Sequence, residues 1–253
     1  MPYNRLSTAK IAKAVGCHPN TVRLYEQIGF IAPVKRSPKG YRLYTPAHLD
    51  QMRLARLAMN TVFPGPNIRR SAIELVRCTA KEDYEGALEL AHHHLNVVLS
   101  ERWQAEAAVD FLEQWAKGIQ PEPAPASLQI GQTARLLDLT IDMMRNWERS
   151  GLLNVPRDPS NGYRRYGAAE IGRLRVIRLL RQTGYSPMAI LRMLVELDQG
   201  ESVEKLRIAL DTPRPDEDVY QAADRWLSTL TEMEQIAREL LVLAEENLRK
   251  YGE

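Results

Sequence analysis

The sequence predicts a mostly α-helical chain with two winged helix-turn-helix domains, each followed by a long coiled-coil helix. If the two long helices pair with each other, one chain holds both halves of a pseudo-dimer. Three observations predict this. The first is an internal repeat at a constant offset of 122: Arg23, Glu26 and Gly29 recur as Arg145, Glu148 and Gly151. Gly40-Tyr41-Arg42 and Tyr44 recur as Gly162-Tyr163-Arg164 and Tyr166, and Ala47, Arg53, Arg56 and Leu57 as Ala169, Arg175, Arg178 and Leu179. Residues 23–58 and 145–180 share 11 identities in 36 positions with no gap, which marks two copies of one structural unit. The second is local charge. Residues 5–60 hold 10 Lys/Arg against 2 Asp/Glu, and residues 127–182 hold 10 Arg against 5, although the whole chain nets only +2. The third is a pair of long apolar stripes at steps of three and four, over residues 84–117 and 217–250.

Composition narrows the class. A chain of 253 residues that is 44% hydrophobic buries enough surface to fold. Its longest apolar run, Leu240-Leu241-Val242-Leu243-Ala244, is far short of the ~20 residues of a spanning helix, so no membrane partner is expected. Residues 1–25 lack the apolar core and small-residue cleavage site of a secretion signal. Two cysteines, Cys17 and Cys78, exclude a disulfide framework and an all-cysteine metal cage. They read as small buried residues in a reducing cytoplasm.

Each copy divides into short helices with sharp breaks. Residues 7–15 form a helix that turns Ile11, Ala12 and Val15 inward, and Gly16 ends it. Pro19 sits in the first turn of the next helix, which carries Thr21 to Glu26 and stops at Gly29. Residues 33–44 then form a basic hairpin with a short aromatic strand, the wing. Thr45 or Pro46 starts a third helix through Leu49, Met52, Leu54 and Leu57. The second copy keeps this order: Thr140 caps a helix ending at Gly151, and Asn161-Gly162 turns the wing over residues 156–166.

The motifs Arg23-Leu24-Tyr25-Glu26…Gly29 with Gly40-Tyr41-Arg42-Leu43-Tyr44 resemble the winged-helix DNA-binding domain of the MerR (mercury-resistance regulator) family. Arg145-Asn146-Trp147-Glu148…Gly151 with Gly162-Tyr163-Arg164-Arg165-Tyr166 resembles it again, with Trp for Tyr. Phe63-Pro64-Gly65-Pro66…Ile68 and Gly184-Tyr185-Ser186-Pro187…Ile190 are similar to the start of that family's fourth helix. The resemblance covers residues 5–76 and 127–197. It implies a transcription regulator that binds an imperfect inverted repeat in a promoter and distorts the DNA, with double-stranded DNA and RNA polymerase as partners. A cytoplasmic, nucleoid-associated location is the matching expectation.

The chemistry of the residues agrees. A recognition helix offers its N-terminal side chains to base edges in the major groove. Those are His18, Asn20 and Thr21 in the first copy and Thr140, Asp142 and Met143 in the second. Arg23 and Arg145 lie one turn on, within reach of phosphate or a guanine edge. Wing cations Lys35, Arg36, Lys39 and Arg157, with Arg42 and Arg164, are expected at the backbone or minor groove. Tyr25, Tyr41 and Tyr163 are candidate phosphate donors, whereas Tyr44 and Tyr166 are expected in the core. Glu26 and Glu148 are expected to orient an arginine, because a carboxylate facing phosphate is repelled. Asp142 in place of Asn20, and Met143 in place of Thr21, predict that the halves read different sequences and that the first binds more tightly.

The expected segments are residues 1–76 and 127–198 for the winged domains, 77–118 and 199–253 for the helical parts, and a Pro/Ala linker over 119–126. Lone amphipathic helices are marginal in water, so each long helix needs a partner. The partner is either the other helix of the same chain or a helix of a second chain, which gives a homodimer. No cysteines lie where metal sensors of the family keep them, and His92-His93-His94 point about 100° apart on a helix, so neither metal nor cofactor is expected. Trp103, Phe111, Trp115, Tyr220 and Trp226 form the aromatic content of the helix layer. They are either core or a pocket for a small-molecule effector; the latter gives a drug-sequestering protein as the alternative function, with a DNA-architectural protein as a third. No Gly-rich phosphate loop, HExxH or Gly-x-Ser-x-Gly occurs, so no enzyme is expected.

Overall fold

The computed structural model describes residues 6–119, 127–213 and 222–252. Among them no extended strand occurs, and the elements are helices α1 (Thr8–Ala14), α2 (Pro19–Gln27), α3 (Pro46–Met59), α4 (Pro66–Ala80), α5 (Tyr84–Ala116), α6 (Ile130–Leu136), α7 (Ile141–Arg149), α8 (Ala168–Gln182), α9 (Pro187–Asp198), α10 (Val203–Asp211) and α11 (Trp226–Tyr251). A 3₁₀ turn, Ala222–Arg225, leads into α11. Residues 120–126 of the expected linker, and the start of the second long helix as read from the sequence, lie outside the described residues.

Local signals place the helix starts. Ser7 accepts from the Lys10 amide at α1, and Thr45 forms a reciprocal capping box with His48 at α3. Pro19, Pro46, Pro66 and Pro187 all stand in the first turn, where proline's missing N–H costs no helical bond. Gly16 and Gly29 take positive φ, 62° and 74°, directly after α1 and α2. A side chain at either would be strained, and the turn between the two helices depends on this reversal.

The chain folds as two units that do not follow its sequential segments. The first joins residues up to Ser100 with Leu230 onwards; the second is Glu101–Thr229. Helices α5 and α11 therefore each contribute to both. In the first unit the core contains Ile11, Val22, Tyr44, Met52, Leu54, Leu75, Ala87 and Ala91, closed by Leu240 and Ala244 of α11. The two helices run in opposite directions here: Tyr84, at the start of α5, meets Tyr251, at the end of α11, with ring centroids 5.5 Å apart. Asp50 of α3 accepts from Tyr251 Oη at 2.9 Å and Lys250 Nζ at 3.1 Å.

His94 of α5 is 3% exposed in this unit, with Nδ1 2.7 Å from Ser71 Oγ. Burial, aided by the neighbouring His93 charge, lowers its pKa to about 4. Folding thus favours the neutral ring. The stability this brings is present above the ordinary value of 6.5 and is lost as pH falls from there towards 4. Denaturant unfolding of the first unit should lose roughly 3 kcal/mol more between pH 7 and 4 in the native protein than in His94→Gln. An equal loss in both would assign the acid sensitivity elsewhere.

The second unit repeats the winged domain and adds α10, which packs on α9. Arg192 of α9 is 4% exposed; it donates to the Ala209 carbonyl at 3.0 Å and the Asp224 carbonyl at 3.0 Å. Asp224 also takes the Ser186 hydroxyl. This buried polar network holds the 3₁₀ turn, and the second long helix begins at Trp226 instead of running unbroken from 217.

The wings are held by isolated antiparallel bridges, not by regular strands. Leu6 pairs with Tyr44 and Arg36 with Arg42; Leu128 pairs with Tyr166 and Arg157 with Arg164. The gap-free alignment of the copies needs correction here. An offset of 122 would pair position 158 with Arg164, yet Arg157 occupies that place. The backbone agrees: Leu43 donates to Lys35 and Arg165 to Pro156, both at 2.9 Å. The second copy has one residue fewer between Gly151 and Val155 and one more in the tip, Asp158 to Gly162, than the first copy has in the corresponding stretches. A deletion and an insertion cancel, so the sequence offset hides both.

Candidate nucleic-acid interface

In the first unit, α2 buries Val22 and Tyr25 and turns His18, Asn20 and Arg23 outward, with Thr21 half-buried. His18 is the N-cap. Its Nδ1 accepts from the Asn20 amide at 3.2 Å. Asn20 Oδ1 accepts from Arg23 Nη1 at 2.8 Å. Beside the helix, Lys35, Arg36, Lys39 and Tyr41 stand exposed on the wing. Arg36 reaches the Gly40 carbonyl at 3.5 Å and spans the hairpin tip. The helix and wing are tied together by Arg42, whose Nε donates to Glu26 Oε2 at 2.5 Å. Both side chains are less than a third exposed, and the pair raises the Arg42 pKa.

The second unit keeps this frame. Arg164 Nε donates to Glu148 Oε2 at 2.7 Å, and Arg157 Nη1 donates to the Gly162 carbonyl at 3.2 Å. Thr140 is the N-cap, its hydroxyl accepting from the Met143 amide at 3.1 Å. The groove between α7 and the wing is lined by Asp142, Arg145, Glu148, Arg149 and Arg164. Arg145 lies 3.7 Å from Asp142, a loose i,i+3 pair. Tyr163, like Tyr41, is exposed on the wing, at 67% and 72%.

Several sequence-read residues take other roles. Tyr25 is 7% exposed and packs edge-on against Phe30 with centroids 5.4 Å apart, so its ring belongs to the core and not to the exposed contact face. Trp147 takes the same buried place in the second copy, at the same 7% exposure. His18 and Thr140 spend one polar atom on capping. Arg42 and Arg164 each spend Nε on the wing tether, which gives Glu26 and Glu148 the orienting role expected of them. Tyr44 and Tyr166 are core, as expected, at 0% and 1% exposure.

Sequence reasoning also missed three features. Ile141 is 36% exposed at the start of α7, and exposed Arg149 lines the groove. Asp158 receives the Ser160 hydroxyl and amide and Arg165 Nε at 2.7 Å, bonds that hold its carboxyl down at about 2. The second wing therefore ties up one of its own cations. The Asp-Pro-Ser-Asn-Gly composition of the tip was the available signal.

The described aromatic residues of the helix layer lie in different surroundings. Trp103 is 74% exposed. Trp115 rests on Gly172 of α8, where an added Cβ would meet its indole Nε1. Trp226 is 4% exposed and lies over Gly184. Phe111 is half-buried, and Tyr220 lies outside the described residues. Both Trp115 and Trp226 thus pack against a glycine. His92 and His93 are exposed while His94 is buried on Ser71, and among the described residues no three acid, histidine or cysteine side chains converge as metal ligands. Cys17 and Cys78 are half-buried. Burial and the neighbouring Asp83 push the Cys78 thiol up to about 11. No described helix is long and apolar enough to cross a membrane.

Comparison with known proteins follows the same division. Residues 7–44 match the MerR family regulatory proteins, and residues 128–197 match the MerR HTH family regulatory proteins. The HTH-type transcriptional regulator CueR of Escherichia coli O157:H7 is 36% identical over 58 residues, 23% of this chain and 43% of that protein. CueR of Vibrio cholerae serotype O1 (strain ATCC 39315 / El Tor Inaba N16961) is 37% identical over 92 residues, 32% of this chain and 64% of that protein. The mercuric resistance operon regulatory protein of Serratia marcescens is 33% identical over 79 residues, 31% of this chain and 54% of that protein. The chain thus spans about half the length of the curated relatives it matches. No solved structure matches it.

Proposed function

We propose that this chain, a MerR-family protein carrying two MerR-type domains, is a sequence-specific DNA-binding transcription regulator. The carrying observation is the same arrangement built twice: an exposed recognition-helix face, locked by an arginine–glutamate pair to a wing with exposed cations. Each half offers polar side chains for base edges and cations for phosphates, which is the division of labour that DNA recognition needs. Two such half-readers in one polypeptide fit an imperfect inverted repeat in a promoter. Distortion of the DNA between the half-sites, and engagement of RNA polymerase, complete the reading by analogy with the family.

The cations used are Arg23, Lys35, Arg36 and Lys39 in the first half and Arg145, Arg149 and Arg157 in the second. Arg23→Ala should weaken binding to every duplex and lower the slope of log K against log salt by about one, because one fewer counterion is released. Fluorescence anisotropy across a salt series measures both. An unchanged slope and affinity would show that α2 does not face the DNA.

A further inference from the structure

We infer that the two recognition helices read base edges of opposite hydrogen-bonding polarity, so that the chain lies on its site in one direction only. This rests on the DNA-binding reading above. In the first half the exposed groups at the start of α2, His18 and Asn20, present donors. His18 Nδ1 is occupied as an acceptor from the Asn20 amide, which places the proton of the neutral ring on Nε2. Asn20 Oδ1 is occupied by Arg23, leaving its amide N–H₂ free. The Arg23 guanidinium, assigned to phosphate above, fixes Asn20 in this orientation and adds no acceptor. Donors match purine acceptors in the major groove, above all O6 and N7 of guanine.

The start of α7 is the converse. Asp142 presents a carboxylate whose side chain is 93% exposed and whose contact with Arg145, at 3.7 Å, is too long to occupy it. An exposed carboxylate accepts, and the matching base-edge donor is the cytosine N4 amino group. Beside it, Ile141 and Met143 are apolar and 36% and 43% exposed, while Met144 and Trp147 on the other face are buried. Exposed apolar side chains beside an acceptor match the thymine methyl group. The helix N-terminus favours the acid, so the domain carries it without destabilisation. The wings differ in the same sense: Lys35, Arg36 and Lys39 are exposed on the first, whereas the second pairs Arg165 with its own Asp158.

The test uses the full chain and its site selected from a random duplex library. We expect two unlike half-sites, a guanine-rich one and one set by cytosine and thymine. Exchanging that cytosine for guanine should lower affinity about tenfold. Replacing thymine by uracil in the same half-site should lower it about fourfold, the value of one buried methyl, and should have no effect in the other half. In Asp142→Asn/Met143→Thr, which alters only exposed positions, the second half-site should move towards the first and the uracil effect should shrink, Ile141 remaining in place. A symmetric inverted repeat from the native chain, or an unchanged preference in the variant, would overturn the inference and leave the DNA-binding reading intact. A pool with no enriched sequence would overturn both.

Discussion

Removal of residues 230–252 is expected to unfold the first winged domain, although that domain starts more than 200 residues earlier in the chain. Leu240 and Ala244 are 0% and 1% exposed within the same core as Tyr44, Met52 and Leu75. Without α11, that apolar face opens to water, and Asp50 loses Tyr251 and Lys250. Amide exchange should show α3 and α4 losing protection together. Because a truncated chain can aggregate, Leu240→Ala gives the finer measurement. It deletes a fully buried isopropyl group and should cost about 2–5 kcal/mol, the range for such cavities. A truncated protein with α3 and α4 still protected would mean that the first winged domain folds on its own.

The second large effect is expected at Gly184. This residue precedes α9 with φ of 109°, a conformation that a side chain resists. A Cβ there would also stand 2.5 Å from Trp226 Cε2 and 2.7 Å from Cη2, inside the van der Waals surface of the indole. Trp226 is 4% exposed and has no room to retreat cheaply. Backbone strain and overpacking add, so Gly184→Ala should destabilise the second unit by roughly 3 kcal/mol or more and lower its Tm by roughly 10 °C. Calorimetry of the full chain measures this. Trp226→Leu in the same background should restore part of the loss, the steric part, and leave the φ part. A Gly184→Ala protein that melts with the native one would mean that Trp226 does not rest on this glycine.

Much of this architecture was legible in the residues, for a physical reason. Helix starts depend on local chemistry: Ser7, Thr45 and Thr140 cap, Pro19 and Pro46 tolerate only the first turn, and Gly29 permits the reversal after α2. Glu26 and Glu148 were readable as arginine partners because a carboxylate beside phosphate has to be neutralised. The site was less legible wherever one residue does two jobs. Tyr25 sits in a functional motif yet packs against Phe30, and His18 faces outward yet caps its helix. Ile141 was missed because an apolar residue at a helix start reads as core until burial is known.

The sequence by itself determined most helix starts and their caps, since these depend on residues within a turn of one another, and it showed the repeat and the two basic segments, which need no contacts to be read. The tertiary structure alone decided three things. It set the register of the second wing, where a deletion and an insertion cancel and only backbone pairing separates them. It distributed the aromatic residues, because Trp115 and Trp226 go where Gly172 and Gly184 leave space. It also determined what closes the first core: Leu240 and Ala244 seal a domain whose other residues end near Ser100. An apolar stripe on a helix states that a partner is needed, but burial is non-directional, so only the folded chain settles which surface fills it.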